Sequence, residues 1–409
     1  MKIITVGEKD VVVCGQHEDN TIAQICDVSK TAEYTAICAD GHFGYIMPIG
    51  GIAAYDNKVS IPGVGYDISC GTCAVKTNLN FNSGVIGYYG DIKRREVSLE
   101  VFSKLSFGVG KKNKSSDSPL GDSIFDDPRW EVIPQSHRDD LMIKAMDQLG
   151  TIGSGNHYIF CGSDEDGFIW VGVHFGSRGL GHTIASGFMA LTQNQPWGTK
   201  VHEEECLLDL STPLGDAYWN AMNLAGDYTY VGREWVARKV ASIIGGEVTE
   251  IVHQNHNYAW KERHFGRDLI VVRKGSTPAF KGQMSLIGGS MGDNSVIARG
   301  TGSELGRMLM YSTVHGAGRV MSRTQAKGKF NRKTGQRKTE GLISQKMMDD
   351  WLKEKQVTLV GGGIDESPQV YRRLDEVLKD QGDSVEIVHT LKPHIVCMAG
   401  SDDFDPYKD

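Results

Sequence analysis

Along this chain, apolar and polar residues alternate in short runs near both ends and shift to a helical period in the middle. IITVG (3–7) and VVVCG (11–15) predict two short strands in a hairpin. TAICADGHFGYIMPIGGIAAY (35–55) predicts strands interrupted by glycine-rich loops. VSIPGVGYDISCGTCAVKT (59–77) reads as a strand, a proline-glycine turn and a second strand carrying Asp67 and Cys70. Residues 85–150 differ: RREVSLEVFSKL and SHRDDLMIKAMDQLG have helical spacing around a polar loop at 111–128, like a helical insertion. Strands return at HYIFCG, FIWVGVHFG and IVVRKGS. Helices are predicted at SGFMALTQNQ, residues 215–246, SQKMMDDWLKEK and VYRRLDEVLKD, and VEIVHTLKPHIVCMAG closes the pattern as paired strands.

The strands come in runs rather than in strict alternation with helices. That predicts an α+β fold with mixed sheets around a central site, and argues against a doubly wound dinucleotide fold. Residues rich in chemical function span 40 to 323, so the expected organisation is one catalytic domain over 1–409. At 409 residues the chain can bury a large core. No stretch reaches the ~18 apolar residues of a membrane span, and MKIITVGEKD lacks the apolar core of a signal peptide. Eight cysteines without a dense framework fit a reducing cytoplasm.

The net charge of −7 excludes recognition of nucleic acid by total charge. A local patch remains, since Arg319 to Lys338 holds eight Lys/Arg and no acid. Read alone, the 324–345 segment is a basic loop, either solvated or set against RNA. The 50 glycines change the picture more. They sit beside His, Asp, Ser and Arg, where a site built from backbone would need them.

HGAGRVMSR (315–323) concentrates that chemistry. Imidazole is a competent nucleophile toward phosphorus, glycines let backbone approach a phosphate, and arginines grip its oxygens. Helical spacing would put Arg319 and Arg323 on one face. The plainer reading is a glycine-rich turn before a solvated basic helix. Asp67 and Cys70 stand three apart, and His157, His174 and His256 lie in glycine- or asparagine-flanked settings. This mixed O/S/N set suits manganese, zinc or iron, and a thiolate can bridge two metals. A single structural zinc held by one Cys and three His is the alternative. Asp40 and His42 form an Asp-x-His pair able to orient another histidine. GSRG (176–179) and GGSMGDNS (288–295) offer amides and hydroxyls for phosphate. No GxxxxGK[ST] occurs, and GVGYDISCG is not a dinucleotide fingerprint.

In order, DGHFGYIMPIGG, GVGYDISCG, GTIGSGNH, VHFGSRGLGH, HNY, RKGS, GGSMG and HGAGRVMSR resemble the RtcB family of RNA-splicing ligases. The resemblance implies a GTP- and manganese-dependent ligase. It would join RNA 3′-phosphate or 2′,3′-cyclic phosphate ends to 5′-hydroxyl ends, in tRNA splicing or RNA repair, through a histidine–GMP intermediate. It makes His315 the guanylylated residue, with Asp40 beside it. It places Asp67, Cys70, His157, His174 and His256 around two Mn²⁺ ions. Asn156, Asn257, Gly289, Ser290, Met291, Ser295, Gly316, Ala317 and Gly318 fall where GMP binds, and Arg178 and Arg323 where RNA or phosphate binds. The implied partners are tRNA halves or broken RNA ends and an archease-like activator, with no membrane.

Two positions depart from the family pattern. Phe160 stands where a glutamate reads the guanine edge, and Ala399 where a lysine touches the nucleotide. A charged hydrogen bond contributes ~1.5–3 kcal/mol, so both changes bear on base selection and neither touches His315 or the metal set. They leave open a divergent relative with another nucleotide or end-processing specificity, or a non-catalytic binder of RNA ends.

Overall fold

The computed structural model describes residues 1–81, 91–329 and 338–400. Its two main sheets are assembled from distant parts of the chain. The first has six strands, in the order Lys2–Val6, Lys9–Val13, Tyr34–His42, Ile49–Tyr55, Arg267–Lys274 and Asn257–His264. The second runs Val248–Asn255, Gly71–Asn80, Phe168–Phe175, Tyr158–Ser163, Val385–Gly400, Ser295–Gly300 and Met284–Ile287, with Thr358–Gly362 pairing parallel to Val385–Gly400. Strand pairing is otherwise almost entirely antiparallel, and with the helices this gives the expected α+β class.

The second sheet curls until its ends meet. Thr72 donates to the Leu286 carbonyl at 3.0 Å, and the Gln254 amide to that of Met284 at 3.1 Å. The long helix Pro213–Ile243 covers this sheet, burying Val236, Ala237, Val240 and Ala241 against Cys73, Val75, Val171 and Val173. Thr212 caps that helix by accepting from the Gly215 amide, and Pro213 occupies its first turn, where no N–H is needed. Strand Phe168–Phe175 is buried on both faces, which explains its unbroken apolar run.

Four sequence expectations are corrected. Asp67 and Cys70 lie in the turn before strand Gly71–Asn80, not on a strand. The helix expected over SGFMALTQNQ begins earlier, at Arg178, so GSRG runs directly into it. VEIVHTLKPHIVCMAG is one 16-residue strand, not a pair, because neighbours on both sides take up its backbone groups. Arg319 precedes the short helix Arg323–Lys327, so the two arginines share no helical face. The helices Asp91–Lys104 and Gln135–Gln148 match the expected 85–150 region, whose first residues, to 90, lie outside the described residues. Residues 330–337 of the basic loop and the tail 401–409 also lie outside them.

Candidate metal and nucleotide site

The turn holding Asp67 and Cys70 is folded by local bonds. The Cys70 amide donates to the Asp67 carbonyl at 3.0 Å, and Ser69 takes a left-handed φ of 61°. The Cys70 carbonyl then accepts from the amides of His256 (2.8 Å) and Asn257 (3.2 Å), bringing two distant segments to one point. Gly176 completes the fit, because a Cβ there would lie 2.1 Å from the Asp67 carboxylate.

The donor atoms converge. Cys70 Sγ lies 3.3 Å from His174 Nε2 and 3.5 Å from His157 Nε2. His174 Nε2 is 3.2 Å from His256 Nε2, and His157 Nε2 is 3.1 Å from Asp67 Oδ2. Ligands around a first-row cation at ~2.0–2.3 Å stand roughly 3.3–3.8 Å apart, so these spacings suit a coordination shell. Two donor groups emerge, Cys70–His174–His256 and Asp67–Cys70–His157, and Cys70 belongs to both. The outer ring nitrogens are also held: His174 Nδ1 faces the Asn156 carbonyl at 3.3 Å, and His157 Nδ1 that of Ile152 at 3.1 Å. The His174 contact directs its Nε2 lone pair inward, whereas His157 Nδ1 is also met by an Arg178 N–H at 3.1 Å.

Electrostatics agree with a cation site. Burial, reinforced by neighbouring rings, holds His174 and His256 well below the usual imidazole range. Burial raises the Cys70 thiol well above its ordinary value, with Asp67 adding to the effect. Burial also opposes ionisation of Asp67, but the His157 hydrogen bond and charge, with Arg178, outweigh it and bring it to about 2. The neutral imidazoles of His174 and His256 and the Asp67 carboxylate are ready ligands, while the thiol would become one by losing its proton to water as a cation binds.

His315 stands at the edge of this cluster, its ring 4.8 Å from that of His256. Fully buried Asp40 lies behind it. One carboxylate oxygen, Oδ2, accepts from the His315 and Gly316 amides at 3.0 and 3.3 Å. The same oxygen is 2.7 Å from His315 Nδ1, at an angle too bent for a full hydrogen bond. Two of the HGAG amides are therefore already taken by Asp40. Gly318, at φ 71°, is required here, since a Cβ would come within 2.4 Å of the Asp40 carbonyl. Loops 288–295 and 315–318 are joined by a bridge between Gly288 and Gly316.

The result is a cavity of about 330 Å³ that brings together every predicted metal ligand, every predicted nucleotide contact and His315. One end is polar, and the other is walled by Phe160, Met291, Pro393, Val396 and Met398. Asp40 sits behind the wall, Arg178 lines a neighbouring cavity, and Arg323 lines neither. Arg323 instead pairs with Glu366 and, at 3.2 Å, with Asp365. Ala399 does not line the cavity; it is buried in a separate apolar cluster with Cys161, Ile395 and Cys397.

A family model described as tRNA-splicing ligase RtcB matches residues 21–399. The chain belongs to the RtcB family. RNA-splicing ligase RtcB of Escherichia coli K12 is 30% identical to this RtcB-family chain over 392 residues, covering 90% of each. The tRNA-splicing ligases RtcB of Thermococcus kodakarensis and Nanoarchaeum equitans are each 28% identical, covering 93% and 92% of this chain and 89% and 90% of their own.

Sequence reasoning missed the groups behind the site. Fully buried Arg233 donates to the carbonyls of Ser69 (2.6 Å) and Phe175 (2.8 Å) and to His253 Nε2 (2.9 Å), clamping the segments that carry Cys70 and His174. Its only trace is an arginine on the buried face of an amphipathic helix. Glu366 and Tyr371 line the cavity and take up Arg319, at 3.2 and 3.1 Å. Nothing local in the sequence marks either residue.

Proposed function

We propose that this protein is an RNA ligase that joins an RNA 3′-phosphate or 2′,3′-cyclic phosphate end to a 5′-hydroxyl end, in tRNA splicing or RNA repair. The reaction runs through a covalent His315–nucleotide intermediate, and the whole chain acts as one catalytic domain in the cytoplasm. The observation that carries this reading is His315 placed between buried Asp40 and a cluster of five metal-type donors, in a cavity also bounded by a glycine-rich loop.

Asp67, Cys70, His157, His174 and His256 would hold two Mn²⁺ ions, with Cys70 shared between them. Bound there, the cations supply Lewis-acid neutralisation of phosphate charge. With Nδ1 toward Asp40, His315 keeps its Nε2 lone pair for attack. Nε2 forms a bond to the α-phosphorus of a nucleoside triphosphate as the bond to pyrophosphate breaks. A cyclic RNA end is first opened by water to the 3′-monoester. An oxygen of that monoester then displaces the imidazole. The 5′-hydroxyl attacks the RNA phosphorus, loses its proton to water and expels the nucleoside monophosphate.

GTP is the nucleotide by family resemblance, held by Asn156, Asn257, the 289–295 loop and Gly316–Gly318, with Arg178 serving RNA or phosphate and Arg323 doing so where an anion displaces its Asp365 and Glu366 partners. A second reading, with weaker discrimination between bases, is favoured by Phe160 and the apolar wall around it. An archease-like activator is a further expectation of the resemblance.

The test is incubation with Mn²⁺ and each α-labelled nucleoside triphosphate. Wild type should gain acid-labile, alkali-stable label and His315→Ala none. Absence of label with every nucleotide would overturn the covalent step. Metal analysis adds a second test, since a single tightly held zinc would contradict the two-cation reading.

A further inference from the structure

Arg233 lies well along the helix Pro213–Ile243, fully buried on the face that covers the second sheet. Its guanidinium spans three separate segments. Nη1 donates to the carbonyls of Ser69 at 2.6 Å and Phe175 at 2.8 Å. Nη2 donates to Oδ1 of Asn255, which also accepts from the Ser69 hydroxyl at 2.8 Å. Nε donates to His253 Nε2 at 2.9 Å, and the Tyr230 ring packs on that imidazole with centroids 3.9 Å apart. Each segment carries a donor of the cluster next in line: Ser69 precedes Cys70, Phe175 follows His174, and Asn255 precedes His256. Gly71 permits the close approach, because a Cβ there would come 2.2 Å from the Gln254 carbonyl and 3.0 Å from Arg233 Nη1.

A cation in this setting is costly. Every acceptor around Arg233 is a neutral carbonyl, amide or imidazole, and among the described residues no carboxylate pairs with it. Fully buried Arg273, by contrast, is neutralised by Glu262 at 2.8 Å. A buried charge without a paired anion carries a desolvation penalty that an apolar residue of similar length would avoid. What arginine supplies in return is a planar fork of five N–H groups at fixed angles, which lysine cannot reproduce. The donor atoms need such support. His174 Nε2 stands 3.3 Å from Cys70 Sγ and 3.2 Å from His256 Nε2, and lone pairs aimed at one point repel each other, so groups behind them must impose the convergence. His157 is outside this clamp, its Nδ1 meeting the Ile152 carbonyl and Arg178 instead.

We infer that Arg233 is the positioning residue of the cation site: it holds Cys70, His174 and His256 in coordinating geometry through the backbone of their neighbours, without touching a cation itself. The inference rests on the two-cation reading above and adds to it the group that preforms one of the two donor sets.

Cobalt(II) titration of the whole chain tests it, with neither nucleotide nor RNA present. The thiolate charge-transfer band reports on Cys70, and the ligand-field bands report on the geometry around the ion. Arg233→Lys should need about 10–100-fold more cobalt for half-saturation, the usual cost of losing a group that orients a ligand, and its ligand-field bands should change. His253→Ala removes one acceptor of the fork and should weaken binding by a smaller factor, while His253→Gln, which restores an acceptor, should recover it. Glu262→Ala is the control for lost stability alone. It strands the other buried arginine, yet should keep half-saturation within about threefold of wild type. Unchanged affinity and unchanged bands in folded Arg233→Lys overturn the inference. An equal loss in Glu262→Ala would make the effect one of stability and also overturn it. If Arg233→Lys does not fold, the His253 pair decides, and His253→Ala equal to wild type overturns the inference. A wild type that takes up no cobalt would instead refute the two-cation reading itself, which separates the two failures.

Discussion

Replacing Asp40 by asparagine isolates the role of one charge. Oδ2 of this fully buried carboxylate serves the His315 and Gly316 amides and stands 2.7 Å from His315 Nδ1. Oδ1 has no hydrogen-bond partner among the described residues. Asparagine must therefore choose between two poor arrangements. With its oxygen toward His315, its NH₂ sits at the Oδ1 position with no acceptor, costing about 1–3 kcal/mol. With its NH₂ toward His315, it opposes two backbone N–H groups and donates to Nδ1, which moves the ring proton to Nε2 and removes the nucleophile's lone pair. A wrong histidine tautomer behind an intact geometry costs other enzymes on the order of 10⁴ in rate. We expect Asp40→Asn to slow self-labelling of His315 by about 10²–10⁴-fold. Asp40→Ala, which strands two buried amides, should also lower unfolding free energy by about 2–6 kcal/mol. Single-turnover labelling and urea unfolding of both variants separate the effects. Labelling of Asp40→Asn within about threefold of wild type, at a rate independent of pH, would refute tautomer control by Asp40.

Three further outcomes rest on Glu262, Cys70 and Phe160. Fully buried Arg273 is held by Glu262 through two bonds of 2.8 and 2.9 Å, so Glu262→Ala should cost about 3–5 kcal/mol in urea unfolding by stranding that cation. Burial opposes ionisation of Glu262, but Arg273 and His264 outweigh it and hold the carboxyl below its usual range. Its contribution is therefore full above the unfolded value of about 4.3 and is lost as pH falls through the lower folded value, and that acid-side loss should be smaller in the variant. Because burial keeps the Cys70 thiol protonated, divalent-cation affinity should rise with pH through neutrality, and Cys70→Ser should weaken binding and flatten the slope in competition titrations. Wild type should label with ATP and GTP within about tenfold of each other, and Phe160→Glu should shift the ratio toward GTP by about 10–150-fold, the equivalent of one charged hydrogen bond. A strong wild-type preference for GTP would contradict the apolar reading of that wall.

Much of the site was legible because its chemistry lies in short local strings. Asp67 and Cys70 share one turn, and HGAGR and GGSMGDNS each carry the glycines their close approaches need. Period-2 and helical spacing likewise located most strands and the long helix Pro213–Ile243. Local pattern failed where pairing decides the outcome. The 16 residues ending at Gly400 contain an interior proline, Pro393, that suggests two strands, yet one neighbour pairs up to Leu391 and another from Lys392, which draws them into one. The strand expected to carry Cys70 starts one residue later, because the left-handed turn at Ser69 is fixed by contacts with Asn255 and Asn257, some 186 residues away in the case of Asn255.

The arginines after His315 show the same limit in electrostatic form. As a string, Arg319 and Arg323 look like free cations beside a nucleophile. In the fold both meet Glu366 and Asp365, and Arg319 also meets Tyr371, all from about 45 residues downstream. A guanidinium already shared with two buried carboxylates gains little from another anion unless that anion displaces them. Burial opposes the charge on Arg323, but Glu366 and Asp365 more than compensate and hold it firmly protonated. The cations differ in how they are engaged: Arg178 contacts His157 on the metal-ligand cluster, and Lys144 is exposed at the neighbouring cavity beside Thr183. The segment after His315 therefore builds and holds the wall of the cavity around His315 rather than supplying unengaged cations to it.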